Sequence, residues 1–283
     1  MNKINGKQLA EKILNQAKLT TAGLDYQPRL DIIFIGNNSA SEVYVNKKIT
    51  AGEQAGVKVV LHRYQEMSDN ALQNLIIDLA NDVAVHGIIL QLPADGIDVE
   101  SAFALIPVSK DVDGLNPASL GGLWHNHEVV TPATPRAVLA VLKEIAAQEG
   151  EALERYIAKK QIVIINRSVI IGKPMAAILT NLNATVTIAH SYTQDLDNYL
   201  AMADIVISGV GKPGIITPEK LKQGVVFIDA GFIKFENKIQ GDLGDSDISS
   251  IASWLSPVPN GIGPLGVACL IENTVLAAEK FAN

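Results

Sequence analysis

Short runs of β-branched and aliphatic residues recur along the chain, each separated from the next by a segment of helical spacing. This alternation restricts the fold to the α/β class with parallel strands. In the first half, residues 30–36, 57–64 and 87–93 read as strands, and the stretches near 6–19, 39–55 and 68–82 as helices. Leu72, Leu75, Ile76 and Leu79 recur at three- and four-residue intervals, the pattern of a helix with one buried stripe. In the second half, residues 161–166, 185–190, 204–210 and 225–231 read as strands apolar on both faces, with helices between them. Thr134-Pro135, as N-cap and first-turn proline, predicts a helix over 137–147, and the domain boundary falls just before it. A terminal helix over 267–282 is expected to dock back on the first domain. The expected domains are therefore 1–130, joined by the 266–283 segment, and 131–265.

The length of 283 residues suits two domains, each with its own core. With 48% hydrophobic residues and a mean hydropathy of +0.20, the chain is unlike a disordered protein. Lys and Arg number 23 against 30 Asp and Glu, a net charge of −7, and no basic cluster offers the stripe that a phosphate backbone requires. Nucleic acid is not an expected partner. Cys269 is the only cysteine, and the first residues lack the apolar core of a signal peptide, so a reducing cytoplasm is expected. The longest stretch without a formal charge, 248–271, contains Pro257, Pro259 and Pro264, which would break a spanning helix. It reads as structured loop, and no membrane segment is expected.

Several segments can carry chemistry. The run from 162 to 165 leads through Asn166-Arg167-Ser168-Val169-Ile170-Ile171-Gly172-Lys173-Pro174 into a helix, the layout of a dinucleotide-binding turn, although the full GxGxxG fingerprint is absent. The next strand ends in Ala189-His190-Ser191-Tyr192-Thr193 rather than in an acidic residue for a ribose hydroxyl, and Arg167 is available for a 2′-phosphate. That combination favours NADP over NAD, while Arg167 also fits a solvated turn. Tyr44 and Lys48, four apart on a predicted helix, project from one face, and taken singly such a pair is more often a solvated face than a site. Their order relative to the candidate nucleotide turn is the reverse of that in short-chain dehydrogenases. Gln91-Leu92-Pro93 lies at the carboxyl end of a strand, and Lys110-Asp111-Val112-Asp113-Gly114 forms a following loop, where α/β sheets bind ligands or simply turn. No metal is expected: Asp111 and Asp113 lack a nearby histidine, and His125 with His127 supplies only two ligands. Cys269 reads as a core residue.

Taken in order, these segments resemble the bifunctional methylenetetrahydrofolate dehydrogenase/methenyltetrahydrofolate cyclohydrolase family, often called FolD. The resemblance spans nearly the whole chain. It rests on Ser41-x-x-Tyr44-x-x-x-Lys48, Gln91-Leu92-Pro93, Lys110-Asp111-Val112-Asp113-Gly114, Thr134-Pro135, Arg167-Ser168 with Gly172-x-Pro174, His190-Ser191-x-Thr193, and Pro257-Val258-Pro259 with Gly261-x-Gly263-Pro264.

The resemblance implies an N-terminal α/β catalytic domain, a Rossmann-like NADP-binding domain, a folate cleft between them, and a homodimer. It implies hydride transfer from 5,10-methylenetetrahydrofolate to NADP, then hydrolysis of the methenyl product to 10-formyltetrahydrofolate. By resemblance Lys48 is the general acid/base, Tyr44 orients the folate, Gln91 tunes Lys48 and Asp113 binds the pterin. Leu92, Pro93, Pro259, Gly261, Gly263 and Pro264 join the substrate set. Asn166, Arg167, Ser168, Gly172, Pro174, His190, Ser191, Thr193, Gly209 and Gly211 form the cofactor set. The residue types suit the chemistry: a desolvated lysine titrates nearer neutrality, a phenol offers a flat face, and a carboxylate accepts from pterin N–H groups. The chain departs from the family pattern at Asn166, Asn260 and Gly266, where the family has Gly, Gly and Thr. Further departures are Ala133 for Cys, Leu265 for Met, Ser119 for Asn and Asn116 for His. A monofunctional enzyme and a silent folate- or nucleotide-binding protein of the same fold remain as alternatives.

Overall fold

The computed structural model describes residues 1–127, 130–235 and 238–281. The first part of the chain forms β1 (Asn2–Lys3), α1 (Gly6–Ala22), β2 (Arg29–Ile35), α2 (Ser39–Ala55), β3 (Lys58–Tyr64), α3 (Asp69–Asn81) and β4 (Gly87–Gln91). Four helices follow: α4 (Val99–Leu105), α5 (Pro117–Trp124), α6 (Ala133–Gln148) and α7 (Leu153–Ile157). Then come β5 (Gln161–Ile165), α8 (Gly172–Asn181), β6 (Thr185–Ala189), α9 (Leu196–Met202), β7 (Ile205–Ser208) and β8 (Val226–Asp229). The chain closes with β9 (Ile233–Phe235), β10 (Lys238–Gln240), β11 (Trp254–Ser256) and α10 (Ile262–Phe281). Ala282 and Asn283, the end of the expected terminal segment, lie outside the described residues.

The chain divides into two compact units, Ala10–Ala133 with Val267–Asn283, and Met1–Leu9 with Thr134–Gly266. Met1–Leu9 therefore sits with the later unit rather than within a 1–130 domain. The reason is strand pairing: Asn2 and Lys3 add to Trp254 and Leu255 as a parallel edge, a two-residue strand too short to show any period.

In the unit built on 10–133, a three-stranded parallel sheet runs in the order β3-β2-β4. Leu30, Ile32, Phe34 and Ile89 bury against Val45, Ala51 and Ala55 of α2 and against Val267, Leu270, Ile271 and Val275 of α10. By length and composition α10 can cross a bilayer, but 67% of its apolar window is buried, and its apolarity is that of a core helix. Ser68 Oγ caps α3 by accepting from the Ala71 N–H, and Leu72, Ile76 and Leu79 form the buried stripe.

In the other unit, a six-stranded parallel sheet runs β1-β11-β8-β7-β5-β6. β5 pairs with β6 on one side and β7 on the other, so the order reverses there, and ligands of open α/β sheets bind at the carboxyl ends of such strands. Two expectations need correction. Residues 248–271 are not all loop: Trp254–Ser256 is a strand, too short for a visible alternation, and α10 begins at Ile262, with Pro264 in its first turn, where the missing N–H costs nothing. Helix α6 starts at Ala133, so Thr134 lies inside its first turn rather than capping it, while Pro135 is in the first turn as expected.

Candidate active site

Helix α2 and the end of β4 bring the first cluster together. Lys48 Nζ donates to Gln91 Oε1 at 2.8 Å, and Gln91 Nε2 donates in turn to the Leu92 carbonyl at 2.7 Å. The glutamine is thereby held with its oxygen toward the lysine. Ser41 Oγ also donates to the Leu92 carbonyl, at 3.1 Å, tying the first turn of α2 to the segment after β4, and the Leu92–Pro93 peptide is cis.

Burial lowers the Lys48 pKa from its ordinary value, and the Asp113 charge acts in the opposite direction. Asp113 is correspondingly pushed up by burial and drawn back by Lys48. An amine so placed gives up its proton more readily than a surface lysine, while the nearby carboxylate keeps it protonatable. That is the requirement for a group that both takes and gives a proton. Tyr44 is half-buried against the core cluster, and burial raises its pKa, so it presents a neutral phenol.

The two neighbouring aspartates have different tasks. Asp111 is buried and accepts from the Leu115 and Asn116 N–H groups and from Ser119 Oγ at 3.0, 2.8 and 2.8 Å. Asn116 caps α5 through the Ala118 N–H. Ser119 and Asn116, two of the departures from the family pattern, thus brace the loop that carries Asp113. Lys110 Nζ is consumed by the Leu79, Ala80 and Asp82 carbonyls at the end of α3.

The second cluster lies where β5, β6 and β7 end. Asn166 Nδ2 donates to the Gly209 carbonyl at 2.6 Å. Its Oδ1 accepts from Ser168 N and Ser168 Oγ, both at 2.7 Å, and from Gly172 N at 3.2 Å. The φ of Asn166 is not positive, so asparagine serves here through its side chain and not through tolerance of a left-handed backbone. A Cβ on Gly172 would lie 2.0 Å from the Asn166 carbonyl oxygen, so the turn closes only on glycine. Arg167 is exposed, with its guanidinium 5.4 Å from the Tyr192 ring centroid, and His190 packs edge-on against Tyr192. The Thr193 hydroxyl accepts from the His190 N–H. A glycine-closed turn before a helix and an exposed cation beside the end of β6 fit a dinucleotide with a 2′-phosphate.

Pro259 and Gly261 lie in the loop between β11 and α10, and Gly263 and Pro264 in the first turn of α10, all in the same unit as the second cluster. Asn260 has φ +74, which explains a glycine as the family's usual residue there. A Cβ on Gly261 would lie 2.2 Å from the Pro257 carbonyl oxygen. His125 and His127 have ring centroids 5.7 Å apart, and among the described residues no group of three or more His, Cys, Asp or Glu is placed to hold a metal. Cys269 is buried. Sequence reasoning missed Asp242, fully buried beneath the loop that carries Gly209 and Gly211; a Gly-Asp pair between short strands carries no signal beyond a turn.

Two family models match the chain: the catalytic domain of tetrahydrofolate dehydrogenase/cyclohydrolase over residues 4–113, and its NAD(P)-binding domain over 132–282. The chain is 38% identical to the bifunctional protein FolD of Lacticaseibacillus paracasei, over 99% of each chain. Among solved structures, the bifunctional FolD enzyme of Campylobacter jejuni superposes with a TM-score of 0.93 at 36% identity, covering 99% of both chains. The Trypanosoma brucei dehydrogenase–cyclohydrolase, complexed with NADP cofactor and inhibitor, gives 0.89 at 30% identity over 99% of this chain and 98% of that one.

Proposed function

Because the chain belongs to the tetrahydrofolate dehydrogenase/cyclohydrolase family, we propose that its two reactions are carried by Lys48, with Tyr44, Gln91 and Asp113 around it. The enzyme oxidises 5,10-methylenetetrahydrofolate with NADP and hydrolyses the 5,10-methenyl product to 10-formyltetrahydrofolate. The observation that carries the assignment is the 2.8 Å hydrogen bond from Lys48 Nζ to Gln91 Oε1, in surroundings that lower the lysine pKa.

In the hydrolytic step the methenyl carbon is already electrophilic, so the chain's task is proton handling. Neutral Lys48 takes a proton from the water as its oxygen bonds to carbon, and the resulting ammonium returns a proton to the ring nitrogen as the C–N bond breaks. The hydroxyl proton of the adduct leaves to solvent as the formyl C=O forms. Gln91, being neutral, aims Nζ without fixing its charge. Asp113 accepts from pterin N–H groups, and Tyr44 offers a flat face to the folate ring system.

Asn166, Arg167, Ser168, Gly172 and Pro174, with His190, Ser191, Thr193, Gly209 and Gly211, hold the dinucleotide, Arg167 meeting the 2′-phosphate. Bound there, NADP supplies the hydride acceptor. Leu92 and Pro93 complete the folate site on the catalytic unit. The unit of Ala10–Ala133 with the terminal helix is the catalytic domain, and that of Met1–Leu9 with Thr134–Gly266 the cofactor domain. The acidic balance and the lone buried cysteine support a cytoplasmic enzyme acting on small molecules, not nucleic acid or membrane. A homodimer belongs to the same reading, as the family resemblance implies.

The test is a pair of assays on wild type and Lys48→Met: NADP- or NAD-dependent oxidation of 5,10-methylenetetrahydrofolate, and loss of supplied 5,10-methenyltetrahydrofolate above its spontaneous rate. Wild type is expected to show both activities with NADP preferred, and the variant to lose the hydrolytic one while staying folded. Hydrolytic turnover near wild type in Lys48→Met would overturn the role of Lys48.

A further inference from the structure

Asp242 lies outside every strand and helix and yet is fully buried. Its carboxylate accepts four hydrogen bonds, all from the end of β7 and the loop that follows. Oδ2 receives Ser208 Oγ and, at 2.8 Å, the Val210 N–H. Oδ1 receives the Gly211 and Lys212 N–H groups at 2.7 and 2.9 Å. Three consecutive backbone amides therefore converge on one carboxylate, the arrangement of an anion-binding nest. Here the chain's own side chain is the anion.

A second carboxylate holds the first. Asp229, at the end of β8, accepts from the Gly231 and Asp242 N–H groups at 3.0 and 3.1 Å and from the Leu243 N–H at 3.2 Å. Glycines make room for both: a Cβ on Gly231 would lie 2.3 Å from Asp242 Oδ1, and one on Gly241 would lie 2.2 Å from Asp229 Oδ2. Position thus passes from β8 through Asp229 to residues 242–243, and from Asp242 to residues 208–212. Two neighbouring buried carboxylates are costly to keep. Burial, with Asp242 adding its charge, pushes Asp229 up to about 6. A turn that only had to reverse the chain would need neither.

We propose that Asp242 is a positioning residue for the dinucleotide: by filling the nest of Val210, Gly211 and Lys212 it holds the loop at the β5/β7 switch point in the shape the cofactor meets. The filled nest is closed to other anions, so the phosphates are left to the turn before α8. The inference rests on the reading that NADP binds at that turn.

The experiment measures NADP affinity by calorimetric titration of the full chain as wild type, Asp242→Asn and Arg167→Ala. In parallel it follows hydrolysis of supplied 5,10-methenyltetrahydrofolate, which consumes no NADP. Asparagine keeps the size of the side chain but turns one acceptor into a donor. Asp242→Asn is expected to weaken NADP binding about tenfold, the loss of one or two charge-assisted hydrogen bonds, with hydrolytic kcat and the folate KM within about twofold. If Arg167→Ala weakens NADP binding and Asp242→Asn does not, the positioning role is wrong and the cofactor reading stands. If neither variant changes NADP affinity, the cofactor reading fails and takes the proposal with it. A loss of hydrolytic kcat in Asp242→Asn in proportion to the loss of NADP affinity marks a purely structural role and overturns the proposal. Should that variant fail to fold, amide exchange in the wild type decides: protection of Val210, Gly211 and Lys212 comparable to the sheet supports the nest, and open-loop exchange rates refute it.

Discussion

The side-chain amide of Asn166 donates to the carbonyl oxygen of Gly209 at 2.6 Å, and so joins the ends of two adjacent strands, β5 and β7. The other side of the same amide accepts from Ser168 and Gly172. One residue thereby organises the turn that precedes α8. Asn166→Gly, although it introduces the residue usual in the family, removes these bonds and adds backbone freedom. The expected result is a loss of about 1–3 kcal/mol in unfolding free energy and a higher KM for NADP. Chemical denaturation and steady-state kinetics check it, and a variant as stable as wild type would show that the bonds contribute nothing.

Proton transfer by Lys48 requires the neutral amine at the moment water adds. Because burial lowers its pKa, the hydrolytic rate is expected to rise with pH through that lowered value, below the range of a surface lysine. Gln91→Glu places an anion against Nζ in the same geometry. It stabilises the ammonium, and the rising limb should move to higher pH by about one unit or more. Rate–pH profiles of the two proteins test this, and superimposable limbs would remove Gln91 from the tuning of Lys48.

Asp229 titrates near 6 in the folded chain against about 3.9 when unfolded. Below both values the group is protonated in either state and contributes no penalty. As pH rises between them the unfolded chain releases its proton first, so stability falls with rising pH and levels off above about 6. The carboxyl carbon shift of Asp229, followed by NMR, should therefore move with a midpoint near 6. A midpoint in the ordinary aspartate range would refute the burial argument.

Lys110 closes the end of α3 by donating to three carbonyls, of Leu79, Ala80 and Asp82. Lys110→Met keeps the stem and leaves those acceptors without their donor. The expected destabilisation is about 2–4 kcal/mol, read as a lower denaturation midpoint with an unchanged slope. A shift within experimental error would mean that the end of α3 is satisfied without it.

Asp111 and Asp113, two residues apart in one loop, show where reading the chain alone stops. Lys110, Asp111 and Asp113 are equivalent as motif residues, and their order says nothing of which is consumed by the fold. Burial and partners separate them: Asp111 binds its own loop, Lys110 binds a helix end, and Asp113 is left beside Lys48. The Tyr44/Lys48 pair was likewise ambiguous, because a period of four residues marks a face without saying whether that face meets water or a strand end. Gln91, arriving from β4, resolves it.

Apolar period is a local property, and it sufficed for the α/β class, for the strands and helices that alternate through both halves, and for the turn after β5, since each is written in consecutive residues. The pairing of Asn2–Lys3 with Trp254–Leu255, the coupling of Lys48 to Gln91 and Asp113, and the capture of the Val210–Lys212 amides by Asp242 join residues far apart in the chain. Such contacts leave no period, and they exist only because the folded sheets bring their carriers within hydrogen-bonding distance and withhold the water that would otherwise satisfy them.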